Sequence, residues 1–136
     1  MPQFDNRKAA GVWQRVHAAP ETQNLEQGRI LALIPALQEC AHVCASNKEL
    51  SASFRKQAAA LRGIYTLLTG EKPAPAPGRK SGGLSPAALR KCYAAQLRTL
   101  SEYQALCGSP DFGPALQALI PLAQNTCLTL LALLGI

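Results

Sequence analysis

Glu71-Lys-Pro-Ala-Pro-Ala-Pro-Gly-Arg-Lys-Ser-Gly-Gly83 is the stretch that decides how this chain folds. Alternating prolines remove backbone donors and fix φ, so neither a helix nor a strand ladder runs through them, and the glycines that follow loosen the segment again. It is too long for a tight turn and suits a crossover running the length of a helical bundle. Each side of it then reads as a helical hairpin.

Upstream, Ile30, Ile34, Leu37, Ala41 and Cys44 recur at helical spacing with Gln38 among them, and Pro35 predicts a kink or a displaced backbone bond. Ser46-Asn-Lys-Glu49 breaks that pattern. Ser51 or Ser53 can then cap a second helix, whose stripe is Phe54, Ala58, Leu61, Ile64, Tyr65 and Leu68, with Gln57 inside it and Gly70 at its end. Downstream, Ser85-Pro86 sets an N-cap before Pro at the first helical position. Leu89, Tyr93, Gln96, Leu97, Leu100 and Tyr103 form the third stripe. Cys107-Gly-Ser-Pro-Asp-Phe-Gly-Pro114 reads as a turn, and Leu116, Leu119, Ile120, Ala123, Cys127, Leu130 and Leu134 direct a fourth helix inward. Ala9 to His17 is expected as a short helix whose Val12, Trp13 and Val16 cover one end of the bundle. The expectation is one all-α domain over 1–136, with an N-terminal helix in 1–20, a hairpin over 24–70, a linker at 71–84 and a second hairpin over 85–136.

Composition agrees. The chain is 48% hydrophobic but only 5% aromatic, and its Ala and Leu bias favours helix because such side chains lose little rotamer freedom there. The formal charge of +6 is spread over separate short groups of Lys and Arg with no aromatic interleaving, so a solvated face is preferred to nucleic-acid binding. Residues 1–20 are charged throughout, without the apolar run of a secretory signal, and a cytoplasmic protein is expected. Ala115 to Ile136 carries no charge and is about long enough to cross a bilayer. Gln117, Gln124, Asn125 and Pro121 argue instead for burial on several sides, with a second subunit covering the extra apolar face. A homodimer through the C-terminal helix follows, and no membrane partner.

Val12-Trp-Gln-Arg-Val16, Leu61-Arg-Gly-Ile-Tyr-Thr-Leu-Leu-Thr-Gly70, Leu89-Arg-Lys-Cys-Tyr93 and Phe112-Gly-Pro before a Leu-rich last helix resemble small bacterial rubrerythrin-related proteins of the ferritin-like superfamily. The resemblance implies a four-helix bundle of two hairpins joined by a long crossover. It also implies a di-iron or di-manganese centre, built from a Glu on each of two helices and a Glu-x-x-His pair on each of the others. Laid onto this chain, the single carboxylates fall on Gln38 and Gln96, and the pairs fall on Phe54 to Gln57 and on Ala123 to Thr126. Between Ile30 and Ile136 the acids are only Glu39, Glu49, Glu71, Glu102 and Asp111. Glu39 alone lies near the implied site, where it reads as a solvent-facing flank residue.

Two divalent ions in a low-dielectric core need several anionic ligands, and amides supply oxygen without charge. Gln38, Gln57, Gln96 and Thr126 therefore read as the remnant of a metal centre, expected to hydrogen-bond one another rather than to border a ligand pocket. Cys40 and Cys44 share a helical face while His42 projects away, and Cys92 or Cys127 could complete a thiol site. An odd number of cysteines, five, set within helical patterns, points to reduced, mostly structural thiols. The reading is a non-catalytic ferritin-like module without a cofactor. Its competitors are a rubrerythrin-like metal protein and a metal or redox sensor using Cys40, Cys44, Cys92 and Cys127.

Overall fold

The structure is a computed structural model that describes residues 19–73 and 84–135. Its elements are four helices, α1 (Ala19–Val43), α2 (Lys48–Thr69), α3 (Pro86–Leu106) and α4 (Gly113–Leu133), with no strand among the described residues. The expected N-terminal helix with Val12, Trp13 and Val16 lies outside the described residues, but Ala19 and Pro20, assigned to that helix, and Glu21 to Gln23, assigned to no element, belong to α1.

Local chemistry sets each boundary. Asn47, and neither Ser51 nor Ser53, caps α2 by accepting the Leu50 N–H at 3.1 Å. Asn is as good an N-cap as Ser, and using it frees both serines to face inward. Ser51 donates to the Ala41 carbonyl at 2.9 Å, tying α2 to the end of α1. Gly70 closes α2 in the left-handed region at φ 75, with its N–H bonded to the Thr66 carbonyl. Ser85 caps α3 with Pro86 behind it, as the sequence signals. Pro35 and Pro121 both sit inside continuous helices. Each ring is exposed, and the carbonyls deprived of a donor belong to Leu31 and Gln117, which are exposed as well.

Cross-helix contacts fix the topology. Arg29 on α1 meets Glu102 on α3 at 2.7 Å, while Cys44 near the other end of α1 meets Cys92 at the start of α3. These helices are therefore antiparallel. Ser53 near the start of α2 meets Thr126 late in α4, so that pair is antiparallel too. With α1–α2 and α3–α4 as tight hairpins, the order is up, down, down, up. The adjacent pairs across the bundle are α1/α3 and α2/α4, whereas α2/α3 and α1/α4 are diagonals with no Cα pair within 8 Å. Because α2 and α3 are parallel, the end of α2 and the start of α3 lie a helix length, roughly 33 Å, apart, inside the roughly 50 Å reach of an extended chain of the intervening length.

The core is filled by Phe54, Leu61, Leu37, Ile30, Ile34, Leu116, Leu130 and Tyr103, all essentially inaccessible. Each fully buried aliphatic contributes about 1.5–3 kcal/mol relative to exposure. The third stripe needs correction: Leu97 is 43% exposed and Tyr93 and Leu100 are only half-buried, while Cys92, Thr99 and Leu106 turn inward. Thr99 enters without penalty because its hydroxyl bonds the Ala95 carbonyl at 2.8 Å. On α4, Ile120 and Leu134 are likewise half-buried. By length and composition α4 could cross a bilayer, and about a third of it (33%) is buried against its neighbours.

Candidate functional site

Gln57 and Gln96 meet where the diagonal helices α2 and α3 face each other. Gln57 Nε2 donates to Gln96 Oε1 at 2.7 Å, and Gln96 Nε2 donates back to Gln57 Oε1 at 3.0 Å. Tyr103, two turns beyond Gln96 on α3, donates its hydroxyl to the same Gln57 Oε1 at 2.9 Å. Its ring and both amides are 0% exposed. Two donors converging on one oxygen fix the orientation of the Gln57 amide. Burial also pushes the Tyr103 hydroxyl above its ordinary range, which keeps it a donor.

The network continues in one direction. Gln57 Nε2 also reaches Ser53 Oγ at 3.4 Å, and Ser53 bonds Thr126 at 2.5 Å. Thr126 gives its single hydroxyl proton to the Leu122 carbonyl at 2.8 Å, so Ser53 must be the donor to Thr126. The chain therefore runs from the Gln57 amide through two hydroxyls to the backbone of α4. Among the described residues no buried side-chain nitrogen or oxygen lacks a partner. A fully satisfied network of this kind stabilises and orients the core, whereas a half-satisfied one would cost more than an apolar filling.

This arrangement tests whether a di-metal centre fits. Gln57 and Gln96 are committed to each other, with Tyr103 on the Gln57 oxygen, and Thr126 is committed to Ser53 and the Leu122 carbonyl. Gln38 is only half-buried on α1, and Glu39 is exposed. Among the described residues no three His, Cys, Asp or Glu side chains are arranged to hold a metal ion. Two cations would have to displace the amide pair and would find no carboxylate there, so the residues present do not fit such a centre. Ser53 and Tyr103 were not marked by the sequence reading as members of the polar centre. Their spacing carried the signal: Ser53 lies one turn before Gln57, and Tyr103 two turns after Gln96.

The cysteines divide. Cys40 on α1 and Cys44 just past its end converge with Cys92 on α3, the Cys44 and Cys92 sulfurs lying 3.8 Å apart. Cys127 is buried on α4, and its thiol is shifted by burial alone, whereas Cys40, Cys44 and Cys92 act on one another. Hydrogen bonds from Cys40 and Cys44 hold the Cys92 thiol below the ordinary thiol range. The same bonds to Cys92, with burial, push Cys40 and Cys44 up. Cys40 and Cys92 line a groove of about 400 Å³ between α1 and α3, left open because Ala36, Ala87, Ala88 and Ala95 are small. Glu39 and Lys91 stand at its exposed rim. His42 is exposed.

Compared with family models, curated proteins and solved structures, the chain matches none.

Proposed function

We propose that this chain is a ferritin-like bundle whose centre has exchanged metal ligands for neutral amides, and which serves as a non-catalytic, dimeric structural or interaction module. The observation that carries this reading is the reciprocal Gln57–Gln96 pair, capped by Tyr103, at the place where the resemblance puts metal ligands. The up, down, down, up order with a long crossover supports the ferritin-like part, since bundles with one crossover of this kind are characteristic of that superfamily. Metal analysis of protein from iron- and manganese-supplemented cells tests it. The expected content is far below one ion per chain, and stoichiometric iron or manganese overturns the reading in favour of a rubrerythrin-like metal protein.

The dimer is supported by α4, which has no charged residue along its length and leaves Leu128 64% and Leu133 46% exposed. Pairing two such faces removes apolar surface from water without leaving a charge buried. Light scattering at micromolar concentration should give twice the chain mass, 14.4 kDa. A monomer, or a dimer unaffected by Leu128→Glu, refutes that interface.

A further inference from the structure

We propose that Cys92 is a hydroperoxide-reactive thiol, approached through the α1/α3 groove and resolved by Cys44 to a disulfide that locks the end of α1 to the start of α3. This goes beyond the structural role proposed above and does not depend on it. Three observations converge. Three thiols, Cys40 on α1, Cys44 just past its end and Cys92 on α3, share one buried cluster in which the Cys44 thiol donates to the Cys92 sulfur at 3.8 Å, and that contact favours the thiolate at Cys92. Cys92 and Cys40 line the α1/α3 groove, whereas Cys44 does not. Cys44 is fully buried behind Cys92, in contact with its sulfur and out of reach of solvent, the arrangement a resolving thiol needs.

The reaction balances as two steps. The Cys92 thiolate attacks the distal oxygen of a hydroperoxide, an S–O bond forms, the O–O bond breaks, and the alkoxide or hydroxide leaves with a proton from solvent. Cys92 is now a sulfenic acid. The Cys44 sulfur then attacks the Cys92 sulfur, the S–O bond breaks, and the departing hydroxide takes the Cys44 thiol proton to leave as water. Sulfur has lost two electrons to the peroxide, and an external dithiol restores both thiols by exchange. Size selects the reactants: Cys92 is only 2% exposed and Cys40 5%, so a small hydroperoxide or a small dithiol entering by the groove reaches the sulfur while a peptide disulfide does not.

Cys107 supplies the internal control, because it is more exposed than any of the trio and lies at the far end of α3. If accessibility alone governed oxidation, Cys107 would react first. The full chain is treated with hydrogen peroxide at pH 6 and at pH 8 and mapped by mass spectrometry. The expected product is an intramolecular Cys44–Cys92 link, 2 Da lighter than the reduced chain by the loss of two hydrogens, roughly as one expects for any disulfide. Its rate should fall less between pH 8 and pH 6 than that of an ordinary thiol, which slows by roughly a hundredfold over that interval as its thiolate fraction falls. In Cys44→Ser the sulfenic acid should persist on Cys92 and be captured by dimedone. Oxidation confined to Cys107, dimedone captured only there, a Cys40–Cys44 link in place of Cys44–Cys92, or equally rapid reaction with oxidised glutathione would each overturn the proposal. Mapping of the wild-type chain needs no variant to fold.

Discussion

Replacing Gln57 by leucine removes the one residue on which the central network depends, and the outcome can be worked bond by bond. Leucine is close to glutamine in volume, so little cavity opens and the packing change is small. What changes is polar. Gln96 Oε1 loses its donor, Gln96 Nε2 loses its acceptor, and the Tyr103 hydroxyl loses the oxygen it bonds at 2.9 Å. Three polar groups in a site with 0% exposure are orphaned together. At about 1–3 kcal/mol for each unsatisfied buried group, less some local relaxation, Gln57→Leu should cost about 3–6 kcal/mol. Gln96→Leu is not its equivalent. It leaves Gln57 Oε1 still bonded by Tyr103 and Gln57 Nε2 still near Ser53 at 3.4 Å, so its cost should be about 1–2 kcal/mol.

The double variant separates this account from simple loss of two contacts. With both glutamines replaced, only the Tyr103 hydroxyl remains unpaired, and the expected cost falls to about 1–3 kcal/mol, below that of Gln57→Leu alone. Adding Tyr103→Phe should bring the bundle close to wild-type stability, since an apolar core of matched volume carries no orphan. Urea denaturation under reducing conditions reads all four proteins on one scale. Additive losses, or a Gln96→Leu variant as unstable as Gln57→Leu, would refute the reasoning.

The remaining predictions concern protons and backbone space. Tyr103 and Cys127 are raised by burial, and Cys40 and Cys44 by their bonds to Cys92, so above about pH 9 the unfolded chain releases protons that the folded one keeps. Their contribution is complete below the ordinary thiol and phenol range and is lost as pH rises through it, at up to about 1.4 kcal/mol per pH unit for each group. Cys92, shifted down, acts oppositely, adding stability as pH climbs toward the ordinary thiol range and no slope beyond it, so urea midpoints should fall between pH 9 and 10.5, and a flat profile there excludes the effect. Gly113→Ala should destabilise by about 2–3 kcal/mol, because the new methyl group meets the Cys107 carbonyl oxygen. Gly63→Ala, with open space around it on α2, should instead stabilise by about 0.5–1 kcal/mol, and thermal melts of the pair should move in opposite directions.

The helices were legible because apolar spacing, Ser85-Pro86 and Gly70 all specify local backbone states. The cap of α2 was misassigned among Asn47, Ser51 and Ser53 because all three side chains can cap, and only the tertiary demand for inward hydroxyls at 51 and 53 decides between them. Leu97 was assigned inward and Cys92 and Thr99 were left out of the stripe for a related reason. A helix that touches a hairpin partner, an antiparallel neighbour and a diagonal helix buries a broad face, and hydrophobicity alone does not show which edge of that face stays wet. Gln38 shares the register of Gln57 and Gln96 in one dimension but lies on α1, away from the α2/α3 diagonal, and ends half-buried. The convergence of Cys40, Cys44 and Cys92 follows from the pairing of α1 with α3, a fact of topology that no single helix encodes.

That topology also explains why the centre is built from amides. Since α2 and α3 never bring Cα atoms within 8 Å of each other, their facing positions need long side chains to close the middle of the bundle. Glutamate has the same reach as glutamine. Yet the buried polar residues are Ser51, Gln57, Gln96, Thr99 and Thr126, with no buried Lys, Arg or His among the described residues to neutralise a carboxylate. A pair of anions there would face a desolvation penalty of several kcal/mol for each ion. The paired amides fill the same length with a donor and an acceptor apiece and with no net charge. Neutral amides at this place supply no anionic ligand to a cation, which is why the metal analysis proposed above is the measurement that bears most directly on the bundle's centre.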